Sequence, residues 1–168
     1  MQTKSSLYQE TTSLANQNAK QLALRIIIAL LVLLWSYTAA SKLINLAQFK
    51  QELHNQTFSK SFTTQLLWFI PLSELLAATL LIIKRTRLLG FIVSSILMIL
   101  FTGYIALVLF NYYERTPCSC GGVLKALGWQ AHLYFNLFFL LLSLLGVYLQ
   151  QQISKPTIDQ TKLYEPQH

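Results

Sequence analysis

Four long apolar stretches, separated by short polar or charged segments, constrain this chain more than any other feature. They cover about residues 22–44, 64–83, 88–113 and 132–149. A membrane-spanning helix needs about 20 mostly apolar residues, and each stretch meets or approaches that length. Only 11% of the 168 residues are charged, whereas soluble domains carry about 25%. Because backbone polar groups in lipid must be satisfied within the segment, the stretches predict four transmembrane helices.

The predicted fold is therefore all-α: a polytopic membrane protein built as a four-transmembrane-helix bundle. No repeat or long linker divides residues 22–150, so we predict one membrane domain with polar cytoplasmic tails at 1–21 and 151–168. An alternative is that the first stretch is a signal peptide cleaved near Ala40. The long polar leader and the helical pattern that continues through Ile44 favour a retained helix instead.

The positive charges predict how the bundle is oriented. With both termini in the cytoplasm, most of the 13 Lys and Arg residues lie on the inner side, including the short basic turn at 84–87. Short loops follow the positive-inside rule best. The loop at about residues 114–131 then faces the periplasm of a bacterial inner membrane. The basic residues lie at the ends of apolar stretches, so topology explains the formal charge of +7, and we predict a lipid environment and no nucleic-acid partner.

That loop contains Cys118 and Cys120, the only cysteines in the chain, in the sequence PCSCGG. A bond between them would close a very small, strained and readily exchanged ring. Gly121 and Gly122 let a partner chain approach closely, and the periplasm permits disulfides. Redox exchange is thus the favoured role. A static bridge, idle thiols and metal capture together with His132 are the alternatives; we predict no metal, because a zinc site needs four ligands at wider spacing.

Polar residues within the apolar stretches are the other candidates for function. Glu74 lies near the middle of the second stretch, where a carboxylate is costly and marks function by default. It is either a proton-relay or ligand group, or a structural partner of Lys42 or of nearby hydroxyl groups. His132 and Asn136 lie one helical turn apart at the start of the fourth stretch, which predicts that both lie beneath the cysteine loop. His132 could equally belong to an interfacial belt.

Three sequence elements together resemble a known family. The first stretch ends in YTAASKL and is followed by Phe49 and Leu53; the second contains IPLSEL and then the basic turn KRTR; the loop contains PCSCGG, with Trp129 and Asn136 after it. This pattern is similar to the methylamine-utilisation MauE family, within the wider DoxX-like group, over about residues 22–150. The Cys-x-Cys-x-Gly element is its most specific part. Relatives often have an aromatic residue where this chain has Gly121.

The resemblance implies an inner-membrane protein associated with thiol redox chemistry, and nothing in the residues points to methylamine itself. The predicted function is disulfide exchange or electron transfer with a periplasmic thioredoxin-like or disulfide-containing partner. Cys118 and Cys120 are its predicted catalytic pair, and the predicted supporting residues are Glu74, Lys42, His132, Asn136, Gly121 and Gly122. The chain has one cysteine pair, so either an electron carrier reacts with it directly or a partner supplies a second pair. A membrane quinone near Glu74 and Lys42 is one candidate carrier.

Whether the chain is itself an enzyme, as an auxiliary thiol–disulfide oxidoreductase, stays open at this point. A transport or binding bundle for a small solute or protons, centred on Glu74, is a second hypothesis. A structural membrane subunit of a periplasmic or secretion complex is a third.

Overall fold

The computed structural model describes residues 3–54, 60–110 and 128–154. In this part of the chain, five α-helices follow one another and no strand is present. They are α1 (Thr3–Ile44), α2 (Leu46–His54), α3 (Lys60–Ile82), α4 (Arg87–Leu109) and α5 (Trp129–Ser154).

Four of the helices are long and apolar enough to cross a membrane. The candidate spans are Leu14–Ile44, Phe62–Ile82, Arg87–Leu109 and Gln130–Ser154. Each overlaps one predicted stretch, so the prediction of an all-α four-helix membrane bundle is confirmed. α1 begins at Thr3 and thus extends beyond its span on the N-terminal side. The division into polar tails and a membrane domain stays a prediction.

The four long helices pack in a ring. α1 packs against α3 and α5, and α4 packs against the same two helices from the other side. The short turn Ile83–Thr86 joins α3 to α4 at one end, here called the turn end, where Lys20 Nζ also donates a hydrogen bond to Gln152 Oε1 at 3.4 Å. α1 and α4 finish, and α3 and α5 begin, at the opposite end. We call this the cysteine end, because residues 111–127 join α4 to α5 there.

Two hydrogen bonds between side chains tie the helices together in the middle of the bundle. The indole Nε1–H of Trp35 on α1 donates to Ser94 Oγ on α4 at 2.9 Å, across the diagonal of the ring. Ser95 Oγ donates to Ser143 Oγ on α5 at 3.0 Å. All four residues are buried. Such bonds hold helices together in lipid, where apolar side chains gain little by leaving the bilayer.

Two glycines allow close helix packing toward the turn end. A Cβ atom at Gly90 would lie 2.7 Å from the backbone nitrogen of Leu81, so α3 and α4 approach each other almost backbone to backbone. A Cβ atom at Gly146 would overlap the ring of Phe91, which is fully buried. Small residues at helix interfaces serve this purpose in membrane proteins.

The helix α2 is an element that the hydropathy pattern does not predict. Phe49 and Leu53, one turn apart, are buried against Leu67 of α3, while Lys50, Gln51 and His54 are exposed. The segment is too short and too polar to register as a span. Its apolar residues at helical spacing nevertheless mark an amphipathic helix. α2 therefore covers the first part of α3 at the cysteine end.

Candidate functional site

A buried ion pair lies at the centre of the candidate site. Lys42 Nζ on α1 is 2.7 Å from Glu74 Oε1 on α3, and the two side chains are only 5% and 1% exposed. Of the two alternatives for Glu74, the structure therefore has the pairing with Lys42. Burying charges this deeply in a membrane bundle costs desolvation free energy even when the charges are paired. The ion pair therefore has either a structural or a functional role.

The local helix geometry explains how the lysine reaches the carboxylate. Lys42 is in the last turn of α1, and helical side chains point back toward the helix N-terminus. Its ammonium accordingly lies one turn back along the helix, where it also donates to the carbonyl of Thr38 at 3.3 Å. Interaction with a carbonyl near a helix C-terminus suits a cation.

Glu74 follows Pro71, which lies inside α3 and is also buried. Proline has no amide hydrogen, so the carbonyl of Leu67 lacks its usual helical donor. Glu74 lies about 12 Å along the helix from the end of α3 at Ile82, at about 1.5 Å rise per residue. The carboxylate is therefore held well inside the bundle and not at its surface.

The second carboxylate oxygen of Glu74 has a different environment from the first. Oε2 is buried, and no group in the described part of the chain donates a hydrogen bond to it. The Thr38 hydroxyl lies within hydrogen-bonding reach of the carboxylate, and it also donates to the carbonyl of Trp35 at 3.2 Å. Rotation of this O–H would therefore supply Glu74 with a second donor.

His132 and Asn136 contribute polar groups from α5. Both are 5% exposed, and their spacing of four residues places them on one face of the helix. His132 is close enough to Lys42 for their charges to interact. Its backbone N–H donates to the carbonyl of Gly128 at 3.1 Å, which ties the first turn of α5 to the end of residues 111–127.

We refer to Lys42, Glu74 and His132 as the polar cluster. Three helices, α1, α3 and α5, supply its members, and all three are buried. All three were candidates from the sequence, and the structure brings Lys42 to Glu74 and His132 to Lys42. The sequence also did not predict that Thr63, at the start of α3, is buried at 1% exposure.

The predicted catalytic pair, Cys118 and Cys120, and the glycines Gly121 and Gly122 lie outside the described residues. The described helix ends on either side are Phe110, whose N–H donates to Ala106 O at 3.0 Å, and Gly128. Both belong to the cysteine end of the bundle. Within the described residues, no three His, Cys, Asp or Glu side chains come together as a metal site would require.

Four apolar helices around a buried ion pair and further buried polar residues define a multi-pass α-helical membrane protein with an intramembrane polar site. Residues 20–149 match the family model described as "Methylamine utilisation protein MauE". The match spans most of the chain, so the protein belongs to the MauE family, as its sequence motifs predict. Neither the curated proteins nor the solved structures include a match to it.

Proposed function

We propose that this protein is an auxiliary thiol–disulfide component of the bacterial inner membrane, whose Cys118–Cys120 pair exchanges disulfides with a periplasmic thioredoxin-like partner. One observation carries the proposal. The segment that contains the chain's only cysteines is joined at both ends to the end of the bundle where Lys42 and His132 are buried. Chain length alone keeps Cys118 within about 29 Å of Phe110, and Cys120 within about 29 Å of Gly128, at no more than about 3.6 Å per residue.

The exchange reaction is balanced without any further reagent. A partner thiolate attacks one sulfur of the Cys118–Cys120 disulfide, and a mixed disulfide forms as the other cysteine leaves as a thiolate. The partner's second thiolate then attacks the mixed disulfide and releases the reduced pair. The partner ends with a disulfide, and this chain ends with two thiols. The same steps in reverse would reduce the partner.

Charge supports a periplasmic location of the cysteine segment. Lys84, Arg85 and Arg87 lie together at the turn end, where a short basic connection favours the cytoplasm. The cysteine end is the other end of the same helices, so the charge distribution supports a periplasmic location for residues 111–127. Disulfides form and persist in that compartment.

The decisive experiment is alkylation of intact cells with a membrane-impermeant maleimide, before and after mild reduction. The proposal expects Cys118 and Cys120 to be modified from outside only after reduction. The matched control is an Arg85→Cys variant made in a background without the native cysteines. Its single cysteine lies at the exposed turn end. The maleimide should modify this cysteine only after the cells are broken. Modification of the native cysteines only in broken cells would reject the proposal.

Single-cysteine variants test the partner. Cys118→Ser or Cys120→Ser should trap a mixed disulfide with a periplasmic protein, which migrates as a larger species on a non-reducing gel and disappears on reduction. Absence of any trapped species from both variants, with the protein present in normal amounts, would contradict disulfide exchange.

A second candidate function, proton or small-solute transport, is favoured by the depth of Glu74 and the undonated oxygen Oε2. The two candidate functions predict opposite effects of substitutions at Glu74 and at the two cysteines. Transport predicts that Glu74→Gln abolishes activity and that serine at both cysteines is mild. Thiol exchange predicts that the double serine variant is inactive while the protein remains folded.

A further inference from the structure

We propose that the seam between α3 and α4, the line along which these two helices meet, binds one anionic phospholipid. The phosphate lies at the turn end, and an acyl chain lies in an apolar groove farther along the seam. Two features carry the proposal: a groove lined by both helices, and the basic turn that joins the same helices. A phospholipid carries an anion and hydrocarbon in one molecule, so it matches both features. The site is independent of thiol exchange.

The groove suits hydrocarbon. Its volume is about 380 Å³, within the about 300–1,000 Å³ that is typical of ligand sites. Ser73 is the one polar side chain in its lining, and the Ser73 hydroxyl already donates to the carbonyl of Ile70 at 2.7 Å. The lining therefore offers an acyl chain apolar contacts and offers a polar solute no free partner. The apolar lining residues include Phe69, Leu72 and Leu76 of α3 and Val93, Ile96 and Leu100 of α4.

The groove opens outward at a depth that an acyl chain reaches. Leu76 and Leu100 of its lining are 54% and 62% exposed. At about 1.5 Å rise per residue, Leu76 lies about 10 Å from the turn and Leu100 about 20 Å from it. Half of the hydrocarbon core is about 15 Å thick, so the lower part of an acyl chain would lie in the groove. Nearer the turn, Gly90 packs on Leu81 and closes the seam, so the upper part of the chain would lie over it.

The turn that joins α3 to α4 supplies the charge that a phosphate needs. Lys84 and Arg85 are exposed in this turn, and Arg87 begins α4. Residues 75–113 contain no Asp or Glu, so no neighbour along either helix neutralises these cations. Basic side chains beside a membrane surface attract anionic lipids, and Arg and Lys form charge-assisted hydrogen bonds to phosphate oxygens. The headgroup end of the seam is therefore complementary to an anionic phospholipid.

The first turn of α4 adds to the same positive potential. It contains no acidic residue, and the preceding Thr86 makes no side-chain cap to its N–H groups. The Thr86 hydroxyl donates instead to the carbonyl of Leu80 at 3.0 Å. The free N–H groups carry the positive end of the helix dipole. This end of α4 therefore strengthens the attraction that Lys84 and Arg85 exert on an anion.

The first test is native mass spectrometry of the full-length protein, released from micelles that contain phosphatidylglycerol and phosphatidylcholine in equal amounts. The two lipids have the same acyl chains, but only phosphatidylglycerol has a net negative charge. We expect one phosphatidylglycerol to be retained per protein, at least tenfold in excess over phosphatidylcholine. Equal retention of the two lipids would overturn the proposal. Inorganic phosphate in large excess should not displace the lipid, and displacement would assign the turn to a soluble anion instead.

The second test removes the charge of the turn. Lys84→Gln/Arg85→Gln should lower the retention of phosphatidylglycerol at least tenfold, because each basic side chain near an anionic lipid contributes about fivefold. The matched control is Lys20→Gln/Arg25→Gln, which removes two cations from α1 near the same end of the bundle. The control should retain phosphatidylglycerol as the native protein does. An equal loss in both variants would show general attraction to the basic end of the bundle, and the proposal would be wrong.

The third test fills the groove. Leu76→Trp places a large ring in the lining and should lower phosphatidylglycerol retention at least fivefold, whereas Leu75→Trp makes the same change at an exposed neighbour outside the lining and should have no effect. Ile96→Trp and Ile99→Trp form a second pair of the same design on α4. Thermal unfolding shows which variants are folded. Normal retention by a folded groove variant would place the acyl chain elsewhere and overturn the proposal.

The same spectra distinguish a lipid from a second copy of the chain as the occupant of the groove. A monomer that carries one phosphatidylglycerol supports the proposal. A dimer that Leu76→Trp dissociates, and that Lys84→Gln/Arg85→Gln leaves intact, would assign the groove to contact between two copies and overturn the proposal. Neither result depends on the cysteines, so Cys118→Ser/Cys120→Ser should retain phosphatidylglycerol normally whatever the outcome for thiol exchange.

Discussion

The contact between Gly146 and Phe91 yields a prediction about the stability of the bundle. A second glycine in the chain, Gly103, provides a matched control. Gly146 lies on α5 and is buried, and a Cβ atom there would come under 3.0 Å from three atoms of the Phe91 ring. The ring is 0% exposed on α4, so it has no open space to move into. Gly103 also lies inside a transmembrane helix, but a Cβ atom added there would have no neighbouring atom within 4 Å.

The magnitude follows from comparing Gly146→Ala with Gly103→Ala. Alanine gains about 1 kcal/mol over glycine in a helix interior, and this gain applies to both sites. The difference between the two variants therefore isolates the steric term, and forcing one extra carbon into a packed interior costs about 1–3 kcal/mol. We expect Gly146→Ala to have a free energy of unfolding lower than that of Gly103→Ala by this amount.

The assay is reversible unfolding of the purified protein in mixed micelles, titrated with a denaturing detergent and followed by circular dichroism. Phe91→Leu should relieve the clash, so the double variant Phe91→Leu/Gly146→Ala should be more stable than the sum of the two single changes predicts. Equal stability of Gly146→Ala and Gly103→Ala would show that α4 and α5 are not in close contact.

Three further predictions concern other contacts. Glu74→Leu should lower the free energy of unfolding by about 3–5 kcal/mol, because Lys42 remains as a buried unpaired charge, and adding Lys42→Met should recover most of the loss in the same unfolding assay. Ser94→Ala should cost about 1–3 kcal/mol by leaving the indole N–H of Trp35 without an acceptor, and the tryptophan emission spectrum should shift. Phe49→Ala should release α2 from α3, so hydrogen exchange should speed up at least tenfold in α2 and stay unchanged in α4; equal protection in α2 would contradict its docking.

The long helices could be predicted because the hydropathy of a segment depends only on its own residues and sums over them. Each stretch carries enough apolar residues to cross a membrane by itself, whatever the other helices do. The same applies to the family, since motifs such as PCSCGG are contiguous in the sequence. α2 was missed because a segment of nine residues, with the two charged residues Lys50 and Glu52, is shorter than the length at which hydropathy is informative.

The candidate site was predictable as a set of residues but not as an arrangement. Glu74 is conspicuous in any apolar stretch, yet the sequence leaves open whether it meets Lys42, a hydroxyl group or a ligand. Likewise, nothing local indicates that the indole of Trp35 donates to Ser94 across the bundle. Such contacts depend on the register of each helix against its neighbours.

The sequence by itself determined the number of membrane helices, the family and the presence of one closely spaced cysteine pair, because each depends on residue type and local order. Only the tertiary structure decided that Lys42 meets Glu74 at 2.7 Å and that His132 lies near the same ammonium. The physical reason is that helix register is set by close contacts, such as Gly90 on Leu81 and Gly146 on Phe91. Those contacts join residues of different helices, and hydropathy carries no information about which residues of two helices meet.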